Sequence, residues 1–523
     1  MFITLFLLLL KTISGNTSLS ANVILIITDD QDVLLNGLKP MSKTVKLLGN
    51  KGVIFENAYT NSPICCPSRS TILTGKYLHN TGVVNNSLSG NCSSVLWQKM
   101  HEPHSVAPIL KKHKEYVTFY SGKYLNQYGH KSAGGTRHVP EGYDWWIGLK
   151  GNSIYYNYTL SVNGTAKYFN DEYLTDILVN FLFCFYFLFK AIVNEIWLSL
   201  VVLFQKEYSL DFLNQKFITQ TPFFMTIATP APHQPFTPAN RHKKSFPGTK
   251  VIHTPSFNFS SKGKHWIVGM PPKTLPEDVS ELDKFQKLRM QSLLAVDELV
   301  ESIIYKLETL NLLKSTFLIF TSDNGYHLGQ FTQPYDKRQP YETDIKIPLM
   351  IRGPKIKKKS IFKRPVSLVD LAPTILEMAN IKGTDYQYQM DGKSFLKNIK
   401  KFGEPSENDK VFVEYFGETN EREFHEECDF ITDPDVSHCT QDAWCKCSDS
   451  KNNTFTCVIT FLNNKSIKFC KFQDNQNFTE VYDLKTDPYE LHNIFENFNK
   501  SLRKYYEELL ETFKNCKGNQ CNF

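Results

Sequence analysis

No stretch of this chain offers an uninterrupted apolar run long enough to cross a bilayer. The strongest candidate, "ILVNFLFCFYFLFKAIVNEIWLSLVVLF" over 177–204, is cut by Lys190, Asn194 and Glu195 into two short runs. Charge at the centre of a span is costly in lipid, so membrane contact is not expected unless that segment is a genuine part of the mature protein. Strong charge of one sign is lacking as well. Lys plus Arg number 59 against 53 Asp plus Glu, a net +6 that suits a polyanionic partner or simple solubility equally; no nucleic-acid partner is expected. Zinc-finger spacing is also missing: "HCTQDAWCKC" comes nearest and fits no standard finger. What is present is a globular composition, 41% hydrophobic and 21% charged, over 523 residues. That is enough for one large α/β domain and a smaller one.

The N-terminal "MFITLFLLLLKTISGN" has an apolar stretch followed by small residues, though no positive charge precedes it; residues 1–15 read as a secretory signal peptide. Two features agree. Sequons begin at Asn16, Asn85, Asn91, Asn157, Asn163, Asn258, Asn452, Asn464, Asn477 and Asn499. Eight of the twelve cysteines lie after residue 427: Cys428, Cys439, Cys445, Cys447, Cys457, Cys470, Cys516 and Cys521. An even cluster in a secreted chain reads as a disulfide framework, and an oxidising compartment works against thiolate ligands for zinc.

Four apolar runs each stop at a polar cluster. "NVILIITDDQD" ends in Asp29 and Asp30, "YVTFYSGKYLN" in Lys123 and Asn126, "PFFMTIATPAPH" in His233, and "TFLIFTSDNGYH" in Asp323, Asn324 and His327. Continuous apolar runs of this length suit strands buried on both faces. With helical patterns such as "KLRMQSLLAVDELVESIIYKLETL" between them, they predict a largely parallel sheet flanked by helices. Ligands of such sheets sit beyond the carboxyl ends of the strands, where the four clusters would converge. Asp29, Asp30, Asp323 and Asn324 offer oxygen ligands only, the choice of Ca²⁺ or Mg²⁺ rather than zinc. Arg69, Lys123, Lys337 and Lys346, with His233 and His327, point to an anionic substrate, although any one alone reads as a surface residue.

In "PICCPSRSTILTG", from Pro63 to Gly75, Pro67 fits a helix's first turn and Gly75 its end. Cys66 is then expected near the N-cap with Cys65 just before it. A helix N-terminus stabilises anions and lowers the pKa of a nearby thiol, which suits Cys65 to nucleophilic work beside an anionic group. Both cysteines as small buried residues or half-cystines is the alternative, and the residues alone do not decide it.

The stretch "CCPSRSTILTG" resembles the sulfatase signature C-x-P-S-R-x-x-x-L-x-G. The order "TDDQD", "CCPSR", "GKYLN", "TPAPH", "TSDNGYHLGQF", "DKRQPYE" is similar to the sulfatases from about residue 22 to the end, and within them to the branch acting on 6-O-sulfated N-acetylglucosamine. The resemblance implies an alkaline-phosphatase-like α/β fold, with a catalytic domain over 22–400 and a smaller disulfide-rich α+β subdomain over 401–523. It implies that a separate formylglycine-generating enzyme oxidises Cys65 to Cα-formylglycine, leaving Cys66 at a variable position. The hydrated aldehyde would attack the sulfur of a sulfate ester with one hydroxyl; the second would expel sulfate. Carried over by motif, Asp29, Asp30, Asp323, Asn324 and modified Cys65 hold one Ca²⁺, Arg69 positions Cys65, and Lys123 and Lys337 neutralise sulfate oxygens. His233 stands near the leaving oxygen, and His327 and Asn126 line the substrate pocket. Many family members have histidine where Leu125 stands here, which leaves open the group that deprotonates the second hydroxyl.

The expected substrate is the 6-O-sulfate of N-acetylglucosamine in heparan or keratan sulfate, in a lysosomal or secreted enzyme; a homodimer is left open. An extracellular heparan 6-O-endosulfatase is the second reading, disfavoured because those relatives carry a long basic insertion that is lacking here. Hydrolysis of phosphate or phosphonate esters, or a non-catalytic glycoprotein that binds sulfated glycans, are others. Residues 181–207 read as extra to the pattern: a surface insertion, a membrane-associated hairpin or, as the Phe and Leu bias favours, translated intron sequence.

Overall fold

A computed structural model of the chain describes residues 20–179, 208–260, 263–382, 390–401, 404–406, 409–418, 436, 446, 449–462 and 465–522. The expected signal peptide, the segment 181–207 and four cysteines of the expected framework (Cys428, Cys439, Cys445 and Cys447) lie outside the described residues.

The four apolar runs form the centre of a ten-stranded sheet. They are β1 (Asn22–Thr28), β2 (Val117–Lys123), β3 (Phe223–Ala228) and β4 (Thr316–Ser322). They lie side by side in the order β4-β1-β3-β2, every neighbouring pair parallel, so their carboxyl ends share one edge of the sheet. The parallel expectation holds for this centre, whereas the flanks are mixed. Leu349–Arg352 runs antiparallel to β4, and Tyr158–Val162 antiparallel to Trp145–Leu149. The outer hairpin from Tyr158 to Phe169 turns through Asn163 and Gly164, both at positive φ (47° and 85°). That is the two-residue Asn-Gly turn whose twist matches the strands it joins.

Both faces of the centre are covered, which is why its strands read as unbroken apolar runs. Val23, Leu25 and Ile27 of β1 face a core shared with Ile72 and Leu73 of α1 (Cys65–Thr74) and the helix Leu371–Met378. Ile24 and Ile26 face the opposite core, against Leu293, Val296, Val300 and Ile304 of the long helix α2 (Ser280–Thr309). Each fully buried aliphatic side chain contributes about 1.5–3 kcal/mol, so the sheet centre is a rigid mount for whatever its ends carry.

Lys410–Tyr415, Phe455–Leu462, Lys465–Phe472 and Thr479–Asp483 form a separate antiparallel sheet near the C-terminus. The amphipathic helix α3 (Lys500–Asn515) packs on it through Tyr506, Leu510 and Phe513. Disulfides Cys457–Cys470, across neighbouring strands, and Cys516–Cys521, after α3, staple this part. The chain is thus α/β with a smaller α+β portion. Among the described residues, no helix is long and apolar enough to cross a membrane. No sequon asparagine there is buried, and Asn157, Asn163, Asn258, Asn477 and Asn499 are exposed.

Candidate active site

Register builds the site. Thr28 pairs with Ser322, so the next residues, Asp29 and Asp323, emerge side by side. Successive strand side chains point to opposite faces, yet Asp29 and Asp30 both serve one site because Asp30 leaves the strand in the left-handed region (φ 66°). Its N–H donates to Asp323 Oδ1 at 3.1 Å, as does that of Asn324 at 2.9 Å. Carboxylate oxygens of Asp29, Asp30 and Asp323 all lie within 4.8 Å of one another, in residues essentially closed to solvent. Asn324 Nδ2 donates to Asp30 Oδ1 at 2.8 Å, while its Oδ1 is buried with no hydrogen-bond partner. An orphaned amide oxygen beside three carboxylates is a hard-donor set that fits Ca²⁺ or Mg²⁺.

Three cations balance the three acids. Lys123, the last residue of β2, donates to Asp29 Oδ2 at 2.7 Å. Arg69, one turn into α1, donates from Nε to Asp323 Oδ2 at 2.7 Å and from Nη1 to the Lys123 carbonyl at 2.8 Å. Lys337 reaches Asp30 Oδ1 and lies 3.1 Å from Cys65 Sγ. His233 Nε2 is 3.9 Å from Asp30 Oδ2. Cys65 Sγ sits 3.4 Å from Asp29 Oδ1 and 3.8 Å from Asp30 Oδ1. Burial raises the Asp29 carboxyl, but Lys123, His233, Arg69 and Lys337 together outweigh it and hold Asp29 well below the usual range. Burial wins at Asp323, pushed up to about 6 despite Arg69. It wins also at His233, lowered to about 4 against the pull of Asp29 and Asp30, so this imidazole is neutral near pH 7.

Two expectations about the paired cysteines need correcting. The helix starts at Cys65 with Ile64 as N-cap, earlier than the proline suggested; Gly75 ends it in the left-handed conformation, as expected (φ 65°). Cys65 is then the first helical residue, and its thiol is held above its ordinary range rather than below it. Burial pushes it up, Lys123 and Lys337 oppose this without prevailing, and Asp29 and Asp30 add to the rise. Nor are the helix-end donors all open to an anion, since the Cys66 N–H donates to Asn86 Oδ1 at 2.9 Å. Cys66 is a half-cystine, paired with Cys92. Cys65 is the free cysteine among the described residues, and it is fully buried.

The structure brings together Asp29, Asp30, Cys65, Arg69, Lys123, His233, Asp323, Asn324 and Lys337. The remaining candidates bond to other residues than the carboxylates. His327 Nδ1 pairs with both oxygens of Asp344 at 3.0 Å, leaving Nε2 buried and unpartnered. Asn126 is buried, and its carbonyl lies against Cys92. Lys346 turns to Asn57 Oδ1 at 3.2 Å and Glu342 at 3.9 Å. Two contributors were not foreseen. Ser153 donates its hydroxyl to Asp29 Oδ2, from a loop whose sequence carries no motif. Arg289 of α2 donates to the Asp30 carbonyl at 2.8 Å and to Asp32 Oδ1 at 2.9 Å. It did leave a signal: a charge on the buried stripe between Phe285 and Leu293.

The sulfatase family profile matches residues 21–381, and a profile described as N-sulphoglucosamine sulphohydrolase, C-terminal, matches 330–433. The chain is 42% identical over 506 residues to N-acetylglucosamine-6-sulfatase of Homo sapiens, covering 96% of this chain and 85% of the relative. It is 37% identical over 381 residues to a putative extracellular sulfatase of Caenorhabditis elegans, covering 72% of this chain and 49% of that one. A solved structure in complex with its substrate D-glucosamine-2-N,6-O-disulfate superposes with a TM-score of 0.68 at 22% identity, covering 94% of this chain and 97% of that chain. A phosphonate monoester hydrolase of Silicibacter pomeroyi shares the fold, with a TM-score of 0.63 at 14% identity and 96% of each chain covered.

Proposed function

This chain belongs to the sulfatase family of sulfuric ester hydrolases, and on that premise we propose that it removes the 6-O-sulfate of N-acetylglucosamine units in glycosaminoglycans, in the lysosome or outside the cell. The chemistry rests on one observation: three buried carboxylates and an unpartnered amide oxygen enclose a point next to Cys65. The substrate rests on the likeness to N-acetylglucosamine-6-sulfatase along 96% of the chain, whereas the extracellular sulfatases of Caenorhabditis elegans and Drosophila melanogaster match over 72% and leave more than half of their own length uncovered.

In this reading Cys65 is the precursor of the formylglycine whose hydrate supplies the nucleophilic hydroxyl. Asp29, Asp30, Asp323 and Asn324 would hold one Ca²⁺, which when bound neutralises charge on the ester. Lys123 and Lys337, now resting on Asp29 and Asp30, are the cations an incoming sulfate would draw onto its own oxygens. Arg69 keeps Asp323 and the Lys123 carbonyl fixed, so the strand ends do not drift as the lysines move. His233, neutral in the free site, faces the same point; an anionic ester beside it favours its protonated form, which can deliver a proton to the leaving oxygen.

The test is expression with and without the formylglycine-generating enzyme, followed by assay on a fluorogenic N-acetylglucosamine 6-sulfate. Turnover only after co-expression is expected, with a peptide spanning Pro63 to Arg69 carrying the aldehyde mass. Equal background turnover in both preparations would leave a protein that merely binds sulfated glycans.

A further inference from the structure

Two clefts of about 430 and 280 Å³ flank a ridge at Gly248 and Thr249. Neither is lined by the carboxylate cluster, yet both back onto α2 beside Arg289, the residue that reaches Asp30 and Asp32. Lys243, Lys284 and Lys287 line the first, and Lys39 and Lys250 the second; Asp283 is the one acid among the lining residues.

The acids around the ridge are already paired. Arg241 is clamped by Asp176 (2.6 and 2.7 Å) and Glu298 (2.6 Å). Asp283 accepts from Lys250 Nζ at 2.7 Å and from the Val251 N–H at 2.8 Å, and Lys284 pairs with Glu281 at 3.0 Å. Gln291 Nε2 donates to the carbonyls of Lys243 and Ser245 at 2.9 and 2.7 Å. Among the described residues, no acidic group lies within ion-pair distance of Lys39, Lys243 or Lys287. The loop is therefore fixed before any ligand arrives, with Lys39 and Lys243 exposed and Lys287 of α2 half-buried beside it, so little ordering cost falls on binding. The cleft volumes suit one or two sugar rings, and ammonium groups on flexible stems suit sulfate or carboxylate without a set geometry.

We propose that this divided cationic cleft docks the anionic glycan chain beyond the residue being desulfated. The inference rests on the glycosaminoglycan reading above and adds a second contact region on the same substrate, next to the helix that braces the site.

The experiment compares the intact enzyme with its Lys243→Gln/Lys287→Gln variant on a 6-sulfated heparan-type oligosaccharide and on 6-sulfated N-acetylglucosamine. The ratio of oligosaccharide to monosaccharide kcat/KM is expected to fall roughly 3- to 10-fold at low ionic strength, as suits the loss of two charge contacts, and to converge on the wild-type ratio as salt rises. An unchanged ratio, or equal losses on both substrates, would overturn the docking site. Calorimetric binding of the oligosaccharide to both proteins separates this from failure of the functional reading. If the wild type hydrolyses neither substrate, weaker binding by the variant still supports the cleft, and equal binding refutes it.

Discussion

The Cys66–Cys92 disulfide ties the first turn of α1 to a loop 26 residues away, with both partners fully buried. Replacing both cysteines by alanine frees that loop in the unfolded chain. For this separation the loop-closure relation assigns about 3.5 kcal/mol, which lowers Tm by roughly 3 °C if the chain unfolds as one unit. The single variant Cys66→Ala should be worse for function than the double. It loses the same cross-link but leaves the Cys92 thiol to pair, during folding in an oxidising compartment, with Cys65, the neighbour in sequence of its lost partner. Non-reducing peptide mapping then shows Cys65 cross-linked to Cys92, and the yield of active enzyme per folded protein falls below that of the double variant. Thermal unfolding, peptide mapping and specific activity read the three consequences separately. An unchanged Tm in the double variant, or a single variant as active as the double, would refute the reasoning.

Cys65→Ala should abolish turnover while thermal unfolding stays within a few degrees of wild type, because the thiol anchors no packing element. Asp323→Asn should weaken the proposed Ca²⁺ site and cut kcat by roughly 100-fold, in part recoverable by raising Ca²⁺, which a calcium titration of activity would reveal. His79 bonds to Glu414 and to the Cys516 carbonyl, tying the catalytic part to the C-terminal part. Burial opposes the proton, but Glu414 outweighs it and raises the imidazole above its ordinary 6.5. The clasp's stabilisation is therefore complete below pH 6.5 and lost as pH rises through the raised value. The stability gap between wild type and His79→Asn should thus be wider at pH 5 than at pH 8 in denaturant titrations. Deletion of 181–207 is expected to leave folding and specific activity intact, since Leu178 and Leu210, near its two ends, are buried in the same core; loss of folded protein would show the segment to be structural.

The sheet's centre was legible because burial on both faces writes unbroken apolar runs, and the polar residue that ends each run marks the strand's carboxyl end. The flanks were less so. Thr165–Phe169 is largely exposed and carries no apolar pattern, although the Asn163-Gly164 turn beside it was a hairpin signal in plain view. Motif and strand end located the carboxylates, Arg69 and Lys337, but not the state of the thiol at Cys65. Helix position argues for a lower pKa; enclosure beside Asp29 and Asp30 decides the opposite, and enclosure is a tertiary fact. Ser153 was invisible for a related reason, since a lone serine in a loop becomes informative only once Asp29 is opposite. The partner of Cys66 was equally hidden, because spacing alone does not distinguish Cys92 from other candidates.

If Cys65 is converted as proposed, its complete burial also sets an order of events in biosynthesis. Once β1, β4 and α1 have assembled and Cys66 has closed on Cys92, no enzyme can grip the segment around Cys65 without unfolding the centre of the sheet. Whatever converts this residue must meet it as a nascent or unfolded chain. On that proposal a molecule that folds first would be locked out, well folded but unconverted, and the proportion of competent enzyme in a preparation would be decided by a race between modification and folding rather than by stability.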